Sequence, residues 1–186
     1  MKIRICSLTM LVSILLIGSA IGKADVVLEW NAIAVDTAVA NGQSPFAQAR
    51  STAIVQLSVF EAVDAIRRDY KPYLGIITAP RGASSEAAAI AAAHRVLSTY
   101  FPASASTLDA ARHNSLALLA DGQAKTDGIA TGEAAAAPML LLRANDGSAP
   151  PEFKAPGPTV PGEWQATPSC PLLNGTAVGL SSIDRT

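Results

Sequence analysis

Gly128, Gly132 and Ala136 recur at intervals of four in the stretch QAKTDGIATGEAAAAPMLLL. Residues four apart stand one above another on a helix, so a helix here has one side of nearly bare backbone. Only a neighbouring helix at close range fills such a side. Alanine is abundant elsewhere in the chain, and it combines the best helix propensity with a side chain small enough to let backbones approach. A chain of this kind is built from closely packed helices.

Start and stop signals divide the sequence into five of them. The first runs from about Val27 to Ala40, with Leu28, Ala32, Val35 and Val39 as its apolar face, and Asn41-Gly42 ends it. The second is capped by Ser44, has Pro45 at its first position and ends before Pro72. Ala53, Leu57 and Phe60 form one stripe on it, and Val59, Val63, Ile66 and Tyr70 a second, which predicts a central helix covered on both sides. The third starts at Ser84, with Glu86 in its first turn, and runs to Pro102. The fourth starts at Ser106, where Asp109 completes a capping-box spacing, and reaches about Ala120. The fifth spans about Ala124 to Ala144, carries the Gly128, Gly132, Ala136 side, is expected to bend at Pro138, and stops at Asn145-Asp146-Gly147.

Apart from Lys71 to Ala83, the links are short, and short links make sequential helices antiparallel neighbours. No stretch has the alternation and β-branched enrichment of a strand. The expected fold is therefore all-α: an antiparallel bundle of about five helices over residues 25–144, followed by a Pro/Gly-rich extended arm over 145–186. Seven prolines from Pro150 to Pro171 keep that arm from regular structure.

Residues 1–24 read as a signal peptide. Lys2 and Arg4 precede a mostly apolar run, Leu8 to Ile21, and Gly22-Lys23-Ala24 offers small side chains for cleavage after Ala24. The run is short for a relaxed membrane span, and Asp25 and Glu29 follow at once. The expected location is outside the cytoplasm, periplasmic or extracellular, with no membrane association once the signal is removed. Losing Lys2, Arg4 and Lys23 lowers Lys plus Arg from 14 to 11 against 15 Asp plus Glu, a net charge near −4. With no basic cluster, nucleic acid is not an expected partner. Cys6 leaves with the signal, so Cys170 has no internal partner for a disulfide. Asn174-Gly175-Thr176 fits a glycosylation sequon, relevant only in a eukaryotic secretory pathway.

Few residues suggest chemistry. His94 sits among Ala and Val in AAAHRVL, where a hydrogen-bonded core histidine is the plain expectation. His113 stands four residues after Asp109, a spacing for a solvated pair on one helix face. There are two histidines, so a three-histidine metal site cannot form within one chain. Glu61 and Asp64, three apart on the most apolar helix, suit paired acid/base work. The plain alternatives are ion pairs with Arg50, Arg67 or Arg68, or hydrogen bonds to the ends or sides of neighbouring helices. There is no G-x-S-x-G, Walker loop or G-x-G-x-x-G. No catalytic, cofactor-binding or metal-binding residue is assigned.

Several segments follow one another in a recognisable order: EWNAIAVDTA, ARSTAIVQLSVFEAVDAI, YKPYL, AAAIAAAHRVL, LRANDGS and PGEWQATP, the last carrying Gly162, Trp164, Thr167 and Pro168. Together, over about Val27 to Pro168, they resemble the N-terminal region of exported vanadium-dependent haloperoxidase-like proteins, of the type 2 phosphatidic acid phosphatase superfamily. The resemblance implies a helical bundle whose intact relatives hold vanadate, or phosphate in the phosphatases. Their ligands are a Lys, two Arg, a Ser-Gly pair and a His, with a second His binding vanadium or attacking phosphorus. Convergent cations and N–H donors of this kind are what a highly charged oxyanion needs. Of the corresponding signatures, Arg-Pro and Ser-Gly-His do not occur in this sequence, and neither His94 nor His113 follows an Arg at the expected interval in an appropriate segment. Relatives often carry His and Asn where this chain has Gln56 and Asp64.

Two functions are thus expected. In the first, the chain is the N-terminal helical part of such a protein, without the oxyanion-binding half and inactive alone. In the second, it is a stand-alone exported binding or scaffold protein that takes a helical partner or a separately encoded C-terminal half. An acid/base enzyme would require His94, Glu61 and Asp64 to converge.

Overall fold

The computed structural model describes residues 25–75, 77–148 and 161. The expected signal peptide, nearly all of the expected Pro/Gly-rich arm, Cys170, the 162–168 segment and the sequon at Asn174 lie outside the described residues. The described chain is all-α, with five α-helices and no strand among the described residues: α1 (Val26–Ala40), α2 (Pro45–Arg67), α3 (Ser85–Tyr100), α4 (Ala105–Ala117) and α5 (Gln123–Leu142). A 3₁₀ turn, Pro102–Ser104, joins α3 to α4. Among the described residues no helix is long and apolar enough to cross a membrane.

Local chemistry sets most boundaries. The Asp25 carboxylate accepts from the Val27 N–H at the start of α1, Ser44 Oγ from Ala47 at the start of α2, and Ser84 Oγ from Ala87 at the start of α3. Two boundaries depart from expectation. Helix α2 stops at Arg67 rather than continuing to Tyr70, because Arg68 takes a left-handed φ of 59° and donates its N–H to the Asp64 carbonyl. That is a C-cap usually given to Gly. Helix α4 begins at Ala105, and its Ser104 cap makes no side-chain bond, so the Ser106–Asp109 capping box does not form. Asp109 is used elsewhere.

Contacts at the helix ends show that consecutive helices alternate in direction. Arg50, early in α2, lies over the Tyr100 ring at the end of α3, and it also donates to the Arg143 carbonyl at the end of α5. Asn41, just after α1, donates to Ser104 Oγ after α3. Helices α1, α3 and α5 thus run one way and α2 and α4 the other.

The central helix is α3, not α2 as its two stripes predicted. Helix α3 packs against all four others, and Ala87 through His94, Val96 and Leu97 are buried. Small side chains on every face let it be surrounded closely. On α2 the buried line is Ser51, Ile54, Val55, Ser58, Val59, Glu61, Ala62 and Asp64, while Ala53 is exposed and Leu57 and Phe60 half-buried.

The bare side of α5 faces α3. A Cβ on Gly128 would collide with the Ser84 carbonyl oxygen, and one on Gly132 with that of Ala88. The Cβ atoms of Ala87 and Ala91 would lie 2.9 Å and 2.8 Å away, inside van der Waals contact. Ala135, Ala136 and Met139 extend the buried side. A backbone bond from the Ser84 N–H to the Ala124 carbonyl, 2.8 Å, ties the two helix starts together. Pro138 lies within α5, which continues past it to Leu142.

Helix α1 turns the other way from expectation. Val26, Trp30, Ala34 and Ala38 are buried, whereas Leu28, Val35 and Val39 are 69%, 38% and 55% exposed, and Ala32 is exposed with them. The larger aliphatics lost to Trp30 and two alanines because the wall of α3 is itself Ala-rich and accepts a flat, close-packing face.

Candidate functional site

Three groups of polar residues lie at different places in this bundle. The first is at the C-terminal end of α2. Glu61 and Asp64 are 1% and 5% exposed, held on the inner side of α2 by the spacing that put them on one face. Neither carboxylate forms the expected ion pair: Arg50 bonds Asp146, and Arg67 bonds Asp69. Each instead accepts a backbone N–H from the segment after the helix, Glu61 Oε1 from Leu74 at 2.7 Å and Asp64 Oδ1 from Tyr70 at 2.8 Å. The carboxylates bend the chain back over α2 after Arg68. They satisfy loop amides that would otherwise be poorly paired. A cleft of about 270 Å³ opens beside them, lined also by Arg68, Tyr70, Pro72 and Ile77.

The second is the α1–α3–α4 corner. His94, 7% exposed, donates from Nε2 to Asp109 Oδ1 at 2.8 Å across the α3–α4 turn. An acceptor carboxylate there places the imidazole hydrogen on Nε2. Its Nδ1 is buried without a hydrogen-bond partner among the described residues. Asp109 therefore partners His94, fifteen residues back, and not His113. The Trp30 ring stands edge-on to His94, with centroids 6.3 Å apart at 82°. The indole Nε1–H donates to Ser115 Oγ at 3.2 Å, and Ser115 passes its own hydrogen to Glu29 Oε1 at 2.8 Å. Both α1 and α3 are thus bonded to α4 through side chains.

The third is the end of the bundle where α2 starts and α5 stops. Arg50 donates Nε to Asp146 Oδ2 at 3.0 Å and Nη2 to the Arg143 carbonyl at 3.2 Å, with its guanidinium 5.5 Å from the centre of the Tyr100 ring. Arg143 Nη2 in turn donates to the Tyr73 hydroxyl at 2.9 Å. Burial works to raise the Asp146 carboxyl, but hydrogen bonds from Ser148 and Arg50 and the charge of Arg50 outweigh it and hold it below its ordinary 3.8. The sequence points to Arg50 only as a partner for Glu61 or Asp64 and to Asp146 only as part of a helix stop; what the four share is that each falls within one of the ordered segments YKPYL, LRANDGS and ARSTAIVQLSVFEAVDAI.

The three groups do not merge. His94 is not among the residues lining the Glu61–Asp64 cleft, so the convergence an acid/base enzyme needs is not formed. Gln56 donates to Asn31 Oδ1 at 3.0 Å, bracing α2 on α1, and Asp64 holds the Tyr70 amide. Among the described residues no three His, Cys, Asp or Glu side chains gather as metal ligands. The Glu61–Asp64 cleft sets two carboxylates beside the single guanidinium of Arg68, and the two guanidiniums of the third group are engaged with Asp146, a backbone carbonyl and Tyr73. No protein family, no curated protein and no solved structure matches the chain.

Proposed function

We propose that this protein is the exported, N-terminal helical part of a vanadium haloperoxidase-like or acid phosphatase-like protein. In this reading it buttresses an oxyanion site carried by other residues and has no activity of its own. The ordered segments of the sequence are the reason for the family, and one observation supports the buttress. Arg50, Tyr73, Arg143 and Asp146 come from three of those segments and meet at one end of the bundle. Its polar side chains are spent on holding α2, the 68–84 link and the end of α5 in register. Vanadate or phosphate would be bound only in the assembled protein, by ligands supplied from outside the described residues.

Two assays test this. Purified protein given bromide, peroxide and vanadate, or a phosphate monoester, should turn over neither; oxidised bromide or released phosphate would overturn the reading. The coding sequence beyond the Thr186 codon should carry Arg-Pro and Ser-Gly-His in some frame. A second reading, an exported binding or scaffold protein that takes a helical partner, is favoured by the exposed aliphatic side of α1. A purified protein that takes up a helical partner through that side, with no need of the C-terminal half, supports it.

A further inference from the structure

We infer that the outer face of α1 is a docking surface for an amphipathic helix whose apolar stripe is flanked by lysine or arginine. Leu28, Ala32, Val35 and Val39 are spaced by four, three and four residues, the spacing of the seam in a two-helix coiled coil. All four are exposed, and none belongs to the core or to the aliphatic side chains packed against it. The face is turned away from the bundle because Val26, Trp30, Ala34 and Ala38 occupy the opposite side. Solvated single aliphatics are ordinary on a protein surface, but a seam of about three turns on one helix is a surface that another helix can complete.

Charge selects the occupant. At 100° per residue, Asp25, Glu29 and Asp36 fall on one flank of the seam. Asp25 and Asp36 are exposed, and Glu29 is half-buried with Oε1 accepting from Ser115. Helix α1 contains no Lys or Arg. A second copy of α1 brings no cation to these carboxylates, and packed antiparallel it sets the acidic flanks against each other. A helix with basic residues beside its stripe answers both the seam and the rim. The inference rests on the proposed function only for the existence of a partner. Losing the surface would leave the bromide and phosphate assays as they are, and finding activity in those assays would leave the surface standing.

The test uses fluorescein-labelled helical peptides of two to three heptads and the purified protein, read by anisotropy. One peptide has a Leu/Val stripe flanked by Lys, a second has the same stripe flanked by Glu, and a third keeps the Lys but has Ala in the stripe. The first should bind at least tenfold more tightly than either of the others. D36K, which leaves the Asp25 cap of α1 in place, should shrink the preference for Lys over Glu flanks by about threefold or more, and L28Q/V35Q should lose the Lys-flanked peptide while unfolding at the same denaturant concentration as the wild type. Equal binding of all three peptides, or binding unchanged in L28Q/V35Q, overturns the inference. So does self-association of the wild type in sedimentation velocity that L28Q/V35Q abolishes, or stripe-dependent flotation with zwitterionic phosphatidylcholine vesicles. Failure of the wild type to bind any peptide overturns it equally.

Discussion

Helix α3 is clamped on two sides by opposite means. Toward α5 it presents alanines and carbonyl oxygens to glycines, and the two backbones come close enough that a single Cβ does not fit at Gly128 or Gly132. Toward α4 the contact is sparse: α4 buries only Leu108 and Ser115, and its polar anchors are Asp109 to His94 on α3, the Ser115 relay to Trp30 and Glu29 on α1, and Arg112 to Glu133 on α5. The first interface is non-directional and depends on the absence of atoms. The second is directional and depends on particular atoms being present. The α3–α5 pair should therefore behave as the rigid heart of the molecule, with α4 the element that opens at lower free energy.

The largest effect should come from putting back a missing atom. Helix propensity alone predicts that Gly132→Ala stabilises α5 by about 1 kcal/mol. The collision with the Ala88 carbonyl predicts the opposite sign, since overpacking against backbone costs about 1–3 kcal/mol or more after relaxation. The expected net result is a loss of about 2 kcal/mol in urea unfolding, with Gly128→Ala similar. A stabilised Gly132→Ala would mean that the helices are not in contact there.

Next in size is the directional side. Ser115→Ala leaves the Trp30 indole N–H buried without an acceptor, a penalty of about 1–2 kcal/mol. Ser115→Thr, which keeps the hydroxyl, should recover part of it. Asp109→Ala should cost less, about 0.5–1 kcal/mol, because the carboxylate is mostly solvated. Its more telling readout is amide exchange. Exchange in α4 should quicken about two- to fivefold while α5 is unchanged, and equal acceleration in both helices would show that α4 has no separate opening.

The same contrast decides what could be read from the sequence. The glycine side of α5 was legible because its cause is local: nothing but close backbone contact suits Gly128, Gly132 and Ala136 at four-residue spacing. The caps at Ser44 and Ser84 are local in the same way. The buried side of α1 was not legible, because ranking side chains by size favoured Leu28, Val35 and Val39, whereas the neighbour α3 has an Ala-rich surface that suits Ala34, Ala38 and one Trp. For the same reason side-chain size points to α2, the helix with more large aliphatics, as central, whereas α3 holds that place. Among the polar groups, burial of Glu61 and Asp64 was foreseeable from their apolar helix. Their partners were not, since Tyr70 and Leu74 contribute backbone N–H groups that no side-chain spacing reveals. The one-turn rule pairs Asp109 with His113, whereas the turn between α3 and α4 delivers it to His94.

The smallest effect distinguishes the bundle's polar end from both interfaces and is set by pH. Asp146 is held below its ordinary 3.8 in the folded protein, with burial opposing and the Ser148 and Arg50 bonds prevailing. A carboxyl lowered on folding contributes stability that is fully present above its unfolded value and is lost as pH falls through the folded one. Urea midpoints should therefore be insensitive to Asp146 chemistry near pH 7 to 5 and decline below about pH 4. Asp146→Asn keeps a hydrogen-bond acceptor for Arg50 and removes the charge. It should lower stability slightly at neutral pH and make the fall below about pH 4 shallower than in the wild type. Gly132→Ala, which touches no ionisable group, should shift the whole pH profile down without changing its shape. If Asp146→Asn instead reproduces that uniform shift, the Arg50–Asp146 bond contributes through packing alone, and the end of α5 is held as the α3–α5 interface is, by shape and not by charge.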